Sequence, residues 1–113
     1  MPTTVCNYIL NADSGGKFVV IVSPDESDSG IVAFSDFSRD FQHRDIVRRW
    51  EKAVGATLAG QGRRVAGGGW WKYEGDMLIL YGQSADFGRF DPQWLRERLR
   101  PGMIHRETSI DVR

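Results

Sequence analysis

Cysteine occurs once in the 113 residues, at Cys6, and histidine twice, at His43 and His105. A lone cysteine cannot close an intrachain disulfide, and two histidines beside it fall short of a four-ligand zinc site. A reducing, cytoplasmic setting is therefore expected. An excess of either charge is also lacking, because 15 Lys and Arg balance 15 Asp and Glu. That balance argues against general nucleic-acid binding, which sets many cations against phosphates. No apolar run approaches the roughly 20 residues of a membrane span. The opening MPTTVCNYILNADSGG has no basic stretch followed by a long apolar one, so no secretory signal is expected. Asp13, Asp25 and Asp28 lack calcium-loop spacing, and the glycines at 67–69 match neither a dinucleotide fingerprint nor a phosphate loop with its Lys-Ser pair. Neither metal, cofactor, nucleic acid nor membrane is expected as a partner.

What is present fits one ordinary globular domain spanning residues 1–113. TVCNYIL at 4–10 is a candidate edge strand, and the turn formers of NADSGG at 11–16 should end it. KFVVIV at 17–22 is a β-branched run that suits a buried strand. SPDESDSG then predicts an acidic loop, and IVAF at 31–34 a second strand. From Ile46 the apolar residues Val47, Trp50, Ala53, Val54, Thr57 and Leu58 recur at helical spacing. Asp45 can pair with Arg49 on that helix. Gly55 should weaken its middle, and Gly60 and Gly62 should stop it. Residues 70–81 predict a hairpin, WWKY and MLILY around EGD. The glycines before it suggest a bulge or the close approach of another backbone or a ligand. Asp91 and Pro92 form a strong helix start, Pro101 and Gly102 a stop, and the tail from Met103 to Val112 a last strand. The order predicts an α+β fold: a single small mixed β-sheet with two α-helices packed against it.

His43 stands just before the first helix. The unpaired amides and partial positive charge of a helix start favour a neutral imidazole and can bind an anion. A neutral imidazole near pH 7 can serve as nucleophile or general base. The bland alternative is a solvated or capping histidine. YGQSADFG at 81–88 is a loop of small residues whose amides, with the Ser84 hydroxyl, can form an anion nest, or can be an ordinary turn in which Asp86 repels anions. Lys17 can bring a cation to a bound phosphate, or can be a surface lysine. Trp70 and Trp71 can stack bases, although alternation along a strand puts at least one of them in the core.

GKFVVIV at 16–22, HRDI at 43–46, AGGGWW at 66–71, LYGQSADFGR at 80–89 and the helix after FDPQW occur in an order that resembles the phosphohistidine phosphatase (Janus/Ocnus) family. The resemblance covers nearly the whole chain. It implies a small mixed sheet with helices against it, and metal-independent removal of phosphate from phosphohistidine, in a protein or as a small phosphoramidate. It implies that His43 is the active histidine. Phosphate would be held by the amides of His43 and Arg44 and by Ser84, Ala85 and Asp86, with Lys17 close by. Two positions depart from the family pattern: Gln42 stands where a tyrosine is common, and Asp86 where a small residue is usual. A non-catalytic phosphate- or phosphoprotein-binding module of the same fold remains the alternative.

Overall fold

The computed structural model describes residues 3–7, 15–23, 26–36 and 42–113. The second half of the expected first strand and most of the NADSGG turn lie outside these residues. The elements run β1 (Thr3–Asn7), β2 (Gly16–Ser23), β3 (Glu26–Asp36), α1 (His43–Val54), β4 (Arg64–Glu74), β5 (Met77–Tyr81), α2 (Pro92–Arg98) and β6 (Ser109–Val112). All six strands join one sheet in the order β1-β3-β2-β4-β5-β6. The outer pairs β1–β3 and β5–β6 are parallel and the inner pairs antiparallel. The fold is thus the expected α+β arrangement, one mixed sheet with two helices.

The helices cover opposite faces. On β2, Val19 and Ile21 face α1, where they meet Ile46, Val47 and Trp50. Phe18, Val20 and Val22 face the other way, toward Leu95 and Leu99 of the α2 region, Trp71 and Phe90. Both faces being covered explains why 17–22 reads as an unbroken apolar run rather than an alternation.

Several expectations need correction. The acidic stretch after Ser23 is not all loop: β3 starts at Glu26, which pairs with Ser23, so ladder pairing overrides the polar composition. Helix α1 ends at Val54, not near Gly60. Gly55 takes a left-handed conformation with φ 75° and donates its N–H to Glu51 O, which makes it the helix stop. Leu58 still reaches the core, from a turn beyond the helix, and its N–H is held by Glu51 Oε2 at 2.6 Å. Asp45 pairs with Arg48, at 3.8 Å, instead of Arg49. The start of α2 is as expected, with Asp91 Oδ1 accepting the Gln93 and Trp94 amides at 3.0 and 3.3 Å.

The last strand begins at Ser109 rather than Met103, because the preceding residues wrap around a carboxylate. Glu107, 3% exposed, accepts the amides of Gly102, Ile104 and His105 and the Tyr73 hydroxyl at 2.8 to 2.9 Å. Burial pushes its pKa up, but these donors outweigh burial and hold it below the usual 4.5. Burial and the adjacent carboxylate raise the Tyr73 phenol above its ordinary value. A carboxyl with a depressed folded pKa stabilises the protein above its unfolded pKa, and that contribution is lost as pH falls through the folded one. Glu107→Gln is expected to cost about 2 kcal/mol near pH 7. It should also remove part of the acid-side fall in stability below about pH 4.5, as read by urea unfolding across that range.

Candidate active site

The site is built on the part of β4 that has no side chains. A Cβ placed on Gly67 would lie 2.4 Å from Arg89 O, and one on Gly69 would lie 2.6 Å from Tyr81 O and 2.8 Å from the Phe90 ring. At Gly68 it would lie 2.6 Å from Phe18 O, 3.0 Å from His43 Cδ2 and 3.3 Å from Ser84 Cβ. The glycines therefore provide both the bulge, seen as a register shift opposite Val20 and Ile21, and the close approach expected of them. The 82–89 loop lies flat on this surface. Gly88 O accepts the amides of Gly68 and Ser84, and Arg89 ties the loop to Gly82 O and Arg113 O at 2.7 Å each.

His43 is the first residue of α1 and only 3% exposed. Its Nε2 lies 2.8 Å from Gly69 O. A carbonyl can only accept, so Nε2 carries the proton and Nδ1 of the neutral ring carries the lone pair. No described residue hydrogen-bonds Nδ1. Burial is the main cause that lowers the pKa below 6.5; the Gly69 carbonyl opposes it, Lys17 lowers it further, and Asp86 acts against the shift. The imidazole is thus held neutral chiefly by desolvation, not by the helix start alone.

A cavity of about 300 Å³ opens beside this ring, at the small end of ligand sites. Lys17 of β2, Gln42 and His43 at the start of α1, Trp70 of β4, and Gln83, Ala85 and Asp86 of the loop line it. Trp70 meets the His43 ring edge-on at 5.9 Å, and Lys17 Nζ lies 4.6 Å from the Trp70 ring centre. The indole donates to Gln83 O at 3.2 Å and so joins strand to loop. Trp71 points to the opposite, fully buried side.

Four of the six site residues singled out from the sequence line the cavity, and the other two adjoin it in the chain. Lys17, His43, Ala85 and Asp86 line the cavity, and Arg44 is beside it in the chain. The Arg44 amide donates to Asp86 Oδ2 at 3.3 Å. Ser84 is 3% exposed and does not line the cavity. Its hydroxyl oxygen accepts the Asp86 and Phe87 amides at 3.1 Å each, so it shapes the loop from beneath. Reading the sequence missed Gln83 and the Gly69 carbonyl, and weighed Trp70 only for base stacking. Strand parity would have placed Trp70 opposite the core, once Trp71 was known to be in it.

No protein-family model matches the chain, and no curated protein matches it.

Burial of a neutral histidine ties the site to stability. Between 6.5 and the lowered folded value, the unfolded chain binds a proton that the folded protein resists, so stability falls as pH drops through that window. His43→Gln is expected to flatten that segment of a urea-unfolding pH series while leaving the fall associated with Glu107, at lower pH, in place. Gly68→Ala should cost about 1–3 kcal/mol, because its methyl meets the Phe18 backbone and the imidazole edge.

Proposed function

We propose that the protein is a metal-independent phosphoramidate hydrolase that takes phosphate from phosphohistidine, in a protein or a small molecule. The observation that carries this reading is the pairing of a buried, neutral imidazole, its Nδ1 lone pair uncommitted, with a lysine in one small cavity. The resemblance to the phosphohistidine phosphatase family supports the same reading, since its motifs correspond to the elements that line this cavity.

In this reaction His43 acts as general base. Nδ1 accepts a proton from water as the water oxygen bonds phosphorus; the P–N bond breaks, and the nitrogen departs with the electron pair and takes that proton from Nδ1, which restores the neutral ring. Attack by Nδ1 itself would create a second phosphohistidine and consume the nitrogen needed to activate water for its release. The general-base route asks less of the site. Lys17 offsets phosphoryl charge, and the His43 and Ala85 amides receive its oxygens, since Asp86 takes the Arg44 amide and Ser84 Oγ the Asp86 amide. The binding-module alternative is favoured by one observation, the Asp86 carboxylate that already takes the Arg44 amide. Phosphate binding without release would select that alternative.

His43→Ala is expected to cut phosphate release from phosphoramidate by at least about 100-fold. Turnover needs the neutral ring, so kcat/KM should rise with pH through a value below 6.5 and then level off. Lys17 lowers the His43 pKa, so Lys17→Met should move that acid limb to higher pH while weakening binding. A limb that stays in place in this variant counts against His43 as the titrating group.

A further inference from the structure

Among the described residues, the cavity is lined by one charge of each sign. Lys17 supplies the cation, Asp86 the carboxylate, and the imidazole between them in sequence is neutral. The carboxylate is fixed at both ends of its residue: Oδ2 accepts the Arg44 amide at 3.3 Å, and the Asp86 amide donates to Ser84 Oγ at 3.1 Å. It therefore stands at the helix start, where an incoming phosphoryl oxygen would otherwise meet that amide. A free phosphate or a phosphate monoester carries roughly −1.5 to −2 near pH 7 and meets a like charge there. A phosphoryl group on a protonated nitrogen compound is dipolar: its oxygens can turn to Lys17, and its N–H, on the bonded nitrogen of phosphoramidate or on the other ring nitrogen of phosphohistidine, can turn to Asp86.

We infer that Asp86 is a specificity-determining residue, whose carboxylate selects ligands bearing the phosphoryl group on a protonated nitrogen compound against free phosphate and phosphate esters. For turnover this rests on the hydrolase reading; for binding it does not. Selection of this kind comes from repulsion of the wrong ligand as much as attraction of the right one. Asp86 is exposed, so water and salt moderate the effect.

Phosphoramidate, phenyl phosphate and inorganic phosphate are the probes, with the wild type, Asp86→Asn and Asp86→Ser compared at low salt. Asp86→Asn keeps an oxygen acceptor for the Arg44 amide, and melting curves check that both variants fold. Calorimetry should show inorganic phosphate binding about tenfold tighter in both variants. The preference for phosphoramidate over phenyl phosphate, as a ratio of kcat/KM, should narrow by about the same factor. If the wild type binds phosphoramidate without releasing phosphate, the hydrolase reading fails and the ratio of dissociation constants takes the place of the rate ratio. Unchanged ratios and unchanged phosphate affinity in both folded variants overturn the role of Asp86, even where phosphate release is normal. Failure of all three proteins to bind any probe overturns both readings.

Discussion

Three consecutive positions without side chains in the middle of a strand are the constraint on which the site depends. Glycine costs about 0.5–1 kcal/mol relative to alanine inside a strand. Here the cost is offset by what the bare backbone admits: the edge of an imidazole, the Phe90 ring, and the Phe18, Tyr81 and Arg89 carbonyls, which lie where side chains would otherwise stand. The Gly69 carbonyl, uncovered on the same surface, fixes the histidine tautomer. Strand, helix start and loop are held at their spacing by sheet backbone, which is the stiffest element available.

Burial then decides the chemistry. A histidine at an exposed helix start would exchange protons freely with solvent, and its pKa would respond mainly to local charge. At 3% exposure, desolvation outweighs the carbonyl and carboxylate that favour the charged ring. Ser84 contributes at one remove. Its hydroxyl organises two loop amides from beneath, while Arg89 braces the loop from its far end.

Much of this was legible in the residues, for identifiable reasons. The β-branched run of β2, the Asp-Pro start of α2 and the hairpin at Gly75 are local signals, and each produced the expected element. The extent of β3 and the end of α1 were set by partners instead. Pairing with β2 extended a polar strand back to Glu26. Leu58 reached the core from outside the helix and so mimicked its continuation. In the site, residue types announced His43, Lys17 and the small-residue loop, but not their contacts. Which of two adjacent tryptophans faces the cavity is a matter of strand parity, fixed by the core packing of Trp71. The grip on Glu107 by three amides is also non-local, because it forms only after the chain has turned around it.

In the proposed reaction, a neutral base beside two opposite charges lets recognition and rate be set by different groups. The imidazole adds no net charge to the cavity, so ground-state binding follows the balance of Lys17 and Asp86, while proton transfer follows the basicity of Nδ1. The two are coupled through the ring, on which Lys17 and Asp86 act with opposite sign after burial has set its main direction. Substitution of a single charged neighbour therefore shifts both the ligand preference and the proton affinity, but by different routes: directly through the ligand's own charge, and indirectly through the ring. Under the proposed hydrolase reading, a loop residue can in this way retune which phosphoryl compounds enter without rebuilding the base, provided the glycine surface that seats the ring is left intact.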